Sequence, residues 1–202
     1  MDFAELKRNA KESLKGKWGT TLGVFILYGL ATNLVSVIAS PKPGADPNTT
    51  LQFSTNIVSI VLTALFVLGY TTYFLKLSRN EEVEVNILWS KVNQFGRAFL
   101  ATFLIGLAVG LGLILFIVPG IIFALMFSMT MKIMADDPEI SAVDAMKKSA
   151  EMMKGHKGEY FTLCLSFFGW LILGVFTLFI LYFWLMPYME TTMCNYYNKI
   201  KG

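Results

Sequence analysis

The sequence predicts an all-α, polytopic membrane protein: six transmembrane helices arranged as three hairpins, each preceded by an amphipathic cytoplasmic helix. Three observations predict it. The 202-residue chain is 55% hydrophobic and only 15% charged, where an average soluble domain carries about 25% charged residues. Uncharged runs long enough to cross a bilayer, about 20 residues each, recur along it. Its basic residues collect on one side of those runs. This composition excludes a soluble globular domain, a disordered chain and a nucleic-acid binder. The net charge of +3 is small, so its placement carries the information.

The amphipathic segment 3–17 puts Phe3, Leu6, Ala10 and Leu14 on one helical face, with Glu5, Lys7, Arg8, Lys11 and Glu12 opposite. The first span, 19–39, contains no charge. Val37-Ile38-Ala39 has the small-residue spacing of a signal-peptide cleavage site. The apolar run before it exceeds the about 7–15 residues of a signal core, so it reads as a span. A Pro- and Gly-containing outer loop, 40–55, leads to the second span, 56–75. The second amphipathic segment, 84–97, repeats Val85, Leu88, Val92 and Phe95 at three- and four-residue steps before the third span, 98–118. Pro119-Gly120 marks a turn, and the short fourth span covers 120–135. The third amphipathic segment, 141–155, has Val143, Met146, Ala150 and Met153 as its stripe and a capping pair in Ser141 and Asp144. The stretch from 160 to 197 is too long for one crossing, so it divides into spans 160–178 and 180–197.

Six spans place both termini on one side, and sixteen of the seventeen Lys and Arg residues then fall on that side. The exception is Lys42. Such asymmetry makes the rich face cytoplasmic and the protein a multi-pass protein of the cell membrane. The first and third units also match residue by residue. Leu14, Lys15-Gly16 and Gly19 fall on Met153, Lys154-Gly155 and Gly158 at one constant offset, and the middle unit follows in pattern with Gly96-Arg97. A threefold quasi-repeat is the expectation.

Glu190 is the one acid deep in a span, next to Pro187, whose missing N–H frees a carbonyl. An intramembrane carboxylate is costly and marks a candidate proton or cation site. The plainer reading pairs it with a Lys or Tyr near the inner headgroups. Lys132, near the cytoplasmic end of the fourth span, is the other intramembrane charge, and its stem is long enough to snorkel. Lys15, Lys17, Arg97, Lys154, His156 and Lys157 gather at the joints between amphipathic segment and span, where anionic headgroups lie. Pro119, Gly120 and Pro187 are read as structural turn residues. Cys164 and Cys194 face a reducing compartment and read as packing residues. No cofactor, metal or nucleophile motif is present.

Several ordered motifs are distinctive: Leu14-Lys15-Gly16-Lys17-Trp18-Gly19, Ile117-Val118-Pro119-Gly120, Met134-Ala135-Asp136-Asp137-Pro138, Met152-Met153-Lys154-Gly155 and Pro187-Tyr188. With these the chain resembles, over nearly its whole length, a bacterial membrane family catalogued as domain of unknown function 975 and found mainly in Firmicutes. The resemblance implies a polytopic plasma-membrane protein and carries over no catalytic residues.

Two functions compete. One is a non-enzymatic membrane protein that organises anionic lipid or partner proteins at the cytoplasmic face, with room for homo-oligomers because six short spans enclose little volume. The other is a small transporter or exporter subunit with a polar site at Glu190. Neither involves nucleic acid or a cofactor.

Overall fold

The computed structural model describes residues 2–38 and 49–202, with side chains described outside 34–57. The described chain is all-helical. Its helices are α1 (Phe3–Leu14), α2 (Trp18–Ile38), α3 (Thr49–Ser78), α4 (Phe95–Leu115), α5 (Ile117–Met126), α6 (Thr130–Asp136), α7 (Ala142–Met152), α8 (Lys157–Leu165), α9 (Phe168–Phe176) and α10 (Tyr182–Lys201). Among the described residues, four helical stretches are long and apolar enough to cross a membrane: Val58–Ser78, Val85–Leu115, Ile117–Asp136 and Lys157–Phe176. The first part of the expected outer loop, 40–48, lies outside the described residues, and from Thr49 the chain is helical.

Burial is polarised along the molecule. The tightest packing gathers at the charged end, where Leu14, Tyr73, Phe74, Leu77, Ile133, Met134, Met153, Tyr196 and Tyr197 are essentially inaccessible. The opposite ends are apolar and bare: Ile114 is 83% exposed, Phe176 79% and Leu178 80%. Water would not tolerate such a surface on a monomer, whereas hydrocarbon does. The termini share the charged end, since α1 packs on α10. Asn195 donates to the Leu6 carbonyl at 3.3 Å, and Lys199 meets Glu5 at 2.8 Å.

Local chemistry sets the ends of the short helices. The Asp2 carboxylate accepts from the amides of Ala4 and Glu5 and starts α1. Ser141 starts α7: its hydroxyl accepts from the Asp144 amide at 3.1 Å and donates to the Asp144 carboxylate at 2.7 Å. The cap and the neighbouring Lys147 hold the Asp144 carboxyl below its ordinary range. Asp144 therefore contributes stability above its unfolded pKa and loses it as pH falls through the lowered folded value.

Five expectations need correction. The segment 84–97 is not one amphipathic helix but two short 3₁₀ turns, Val85–Trp89 and Val92–Gln94, ahead of α4. Its β-branched and Asn residues are poor helix formers. The Leu88 backbone is also pressed onto Gly69 of α3, so closely that a Cβ there would collide with the Leu88 carbonyl. The reversal after α4 falls at Phe116, whose backbone is extended, rather than at Pro119-Gly120. Pro119 lies in the first turn of α5, where its missing N–H costs nothing, and Gly120 packs against Leu113 of α4. The fourth span is broken between α5 and α6, at Phe127–Met129. The fifth is broken at Ser166–Phe167, between α8 and α9. Pro187, by contrast, sits buried inside an unbroken α10.

A turn over 177–181 separates α9 from α10 without glycine: Leu178 and Phe179 both take left-handed backbone, at φ 51° and 65°. The Phe179 amide reaches the Gly174 carbonyl at 3.0 Å, and the Tyr182 hydroxyl folds back to the Leu171 carbonyl at 2.8 Å.

Two outcomes follow. Gly69→Ala should destabilise by about 1–3 kcal/mol through overpacking, while Gly106→Ala, with nothing within 4 Å, should not. Thermal unfolding in detergent measures both. Ser141→Ala should cost about 1 kcal/mol and flatten the acid-side fall of that unfolding midpoint.

Candidate functional site

Four polar features are built onto this frame. The deepest joins α6 to α10. Lys132 Nζ lies 3.2 Å from Glu190 Oε1, and the Lys132 side chain is 8% exposed. Lys132 thus does not snorkel to the interface: its stem turns inward because α10 presents a carboxylate there. Tyr28 and Tyr70, stacked at 4.3 Å between ring centroids, belong to the same surroundings together with Tyr160 and Cys194. The ammonium of this pair is buried, while the Glu190 carboxylate is 28% exposed. Removing one partner strands the other charge, which is far costlier than removing both.

About 6–10 Å nearer the charged end, by helix rise, Asp136 closes α6 onto two other helices. Arg79 grips it with two parallel bonds of 2.6 and 2.7 Å. Lys201 and Tyr197 donate to Oδ2 at 2.6 and 3.0 Å. Asn198 ties in by accepting from Arg79 and donating to Ser78 at 2.9 Å. The bonds to Asp136 raise the Arg79 guanidinium further above its already high range. Nothing local in the sequence announces this cluster. Its signal is an acid closing an apolar run while Arg79 ends another, a pairing that only tertiary structure makes.

The joints between helices form the third feature. At both Lys-Gly elbows a fully buried side chain, Leu14 at the end of α1 or Met153 just past α7, is followed by an exposed lysine, Lys15 or Lys154. Gly16 and Gly155 then follow at φ 79° and 85°, a conformation glycine adopts freely. The hydrogen bonds correspond one to one. Lys15 and Lys154 amides donate to the Glu12 and Glu151 carbonyls, and Lys17 and His156 amides to the Leu14 and Met153 carbonyls. Gly96, at the middle joint, does not take this conformation.

The other residues expected at headgroup level divide. Lys15, Lys154 and Lys157 make no ion pair among the described residues. Lys17 instead donates to the Glu81 carbonyl at 2.8 Å. His156 faces Glu159 at 3.0 Å, and its carbonyl accepts from Tyr196 at 3.2 Å. Arg97 is turned inward, its guanidinium donating to the carbonyls of Asp137, Pro138 and Ile140. There it closes the loop after α6.

The fourth feature is a groove of about 620 Å³ between α1, the start of α2, α9 and α10. Lys7, Arg8 and Lys11 stand on one wall, opposite Phe167, Trp170, Trp184 and Tyr188. Lys7 Nζ lies 4.4 Å from the Phe167 ring centroid and 3.4 Å from the Ser166 carbonyl. Partial burial lowers the Lys7 ammonium from its ordinary range. The sequence reading placed these cations only on the solvated face of the first amphipathic segment. Neither this groove nor a smaller one beside Arg79 is lined by Lys132 or Glu190.

The two charges of the deep pair should behave as a unit. Glu190→Gln, which strands the buried ammonium, should cost about 3–5 kcal/mol, Lys132→Met less because the carboxylate left behind is partly exposed, and the double Met variant should recover most of the larger loss. Denaturant unfolding of the purified protein in detergent is the measurement.

No curated protein and no solved structure matches the chain. A family model described as Protein of unknown function (DUF975) matches residues 1–124 and 113–202, which together run the length of the sequence. The chain belongs to that family.

Proposed function

We propose that this is a non-enzymatic plasma-membrane protein that binds and organises anionic lipid at its cytoplasmic face. The observation that carries the reading is the Lys-Gly elbow, used twice with the same backbone. Each elbow holds an exposed lysine at the joint between a short surface helix and a span. A cation fixed at that joint stands at headgroup level, where each Lys or Arg contributes about 1 kcal/mol toward an anionic surface. The matching elbows also support a repeated unit of interface helix, elbow and hairpin. In this reading six spans form three hairpins, both termini are cytoplasmic, and the middle unit has diverged at its 3₁₀ turns. The contact of Glu190 with Lys132 supports a structural use of that carboxylate over a transport site.

Two measurements test this. In nanodiscs of mixed phosphatidylglycerol and phosphatidylcholine, the protein should enrich phosphatidylglycerol in its boundary lipid. Lys15→Gln, Lys154→Gln and Lys157→Gln together should abolish most of that enrichment. An unchanged boundary composition overturns the reading. In a background with Cys164→Ala and Cys194→Ala, a cysteine at position 46 should label from outside intact cells, and one at 15 or 154 only after permeabilisation. Labelling of 15 from outside overturns the orientation.

A further inference from the structure

The groove beside α1 has the polarity of a lipid laid along it. Leu181, Trp184, Leu185 and Tyr188 line it at steps of three and four, so one face of α10 forms its floor over about 10 Å. The cations crowd one end only. Lys7 sits over Phe167, and Lys11 lies 5.8 Å from the Tyr188 centroid. The other end, toward the 177–181 turn, is aromatic and aliphatic, with Trp170 54% and Trp184 49% exposed. No carboxylate lines the groove. Of the acids near α1, Glu5 pairs with Lys199 and Asp2 caps its own helix, while Glu12 is exposed outside the groove lining. The volume of about 620 Å³ falls within the range of small-molecule sites, about 300–1,000 Å³.

We propose that this groove is a discrete site for one glycerophospholipid with an anionic headgroup, its phosphate held by Lys7, Arg8 and Lys11 and an acyl chain lying along Trp170, Leu181 and Trp184. The inference rests on the anionic-lipid reading of the cytoplasmic face, and it names a stoichiometric site where that reading requires only a surface. Arg8 supplies the planar fork that fits two phosphate oxygens. The two lysines supply point charges already held over aromatic rings, so little side-chain freedom is lost on binding. Bulk lipid without a headgroup charge gains nothing from this wall.

Tryptophan positions make the site directly readable. Trp18, Trp170 and Trp184 line the groove, and Trp89, the fourth tryptophan, does not. Full-length Trp89→Phe protein is reconstituted in phosphatidylcholine nanodiscs doped with phosphatidylglycerol or phosphatidylcholine brominated along the acyl chains. Each cation near the surface contributes about fivefold, so half-maximal quenching should need at least about tenfold less brominated phosphatidylglycerol than brominated phosphatidylcholine. Arg8→Gln with Lys11→Gln, both exposed positions, should remove that selectivity while retaining the circular dichroism and unfolding midpoint of the parent. Equal quenching by the two lipids overturns the site, as does selectivity that survives the charge substitutions. Lys15→Gln, Lys154→Gln and Lys157→Gln together should leave groove quenching selective. Selective quenching without boundary enrichment removes the elbow reading alone, and enrichment without selective quenching removes the groove alone.

Discussion

A backbone that enters hydrocarbon must satisfy its own hydrogen bonds, and the shape of this protein follows from how it does so. Its apolar stretches are interrupted more often than span length requires, and each described interruption is repaired from within. The break between α5 and α6 is the clearest case. The Met126 carbonyl and Met129 amide, left without helical partners, are both taken by Ser149 of α7, at 2.8 and 3.2 Å. Ser149 is fully buried. A surface helix thus reaches into the bundle and supplies one hydroxyl as both donor and acceptor. The break before α9 leans on bonds one residue shorter, from Ser166 to Leu163 and Phe167 to Cys164.

The same economy governs charge. Asp136 receives three donors and Glu190 one ammonium, so the acids nearest the apolar layer are neutralised inside the protein. Arg97 is spent on loop carbonyls. What remains without an ion pair among the described residues includes the elbow lysines, Arg8 and Lys11 of α1, and Lys76, Lys91 and Lys148. Among the described basic residues, the positions of those left uncommitted matter more than the total number.

Much of this was legible in the sequence. Composition alone demands helices in lipid. The capping pair at Ser141 and Asp144 and the twin Lys-Gly joints are local features, and they appear where local rules put them. What was not legible depends on distance or on exceptions to residue preference. Pro119 looks like a breaker, yet in a first turn it is harmless, and Phe116 bears the bend. The left-handed Leu178 and Phe179 have no glycine to announce them. Segment 84–97 carries a helical period, but contact with Gly69 holds it in 3₁₀ turns. The partners of Lys132, Glu190 and Asp136 sit on helices far apart in sequence, so the sequence named the charges of the deep pair without joining them.

Lys199 and Glu5 meet across 194 positions, and Asn195 closes on Leu6 beside them. That contact sets an order of assembly. Hairpins of neighbouring helices close early, because little chain separates them. α1 has a buried face waiting, but the helix that covers it, α10, is synthesised long after it. An amphipathic helix whose protein partner is still missing finds a substitute apolar surface at the bilayer interface. The charged-end core is therefore completed only when the two distant ends of the described chain meet.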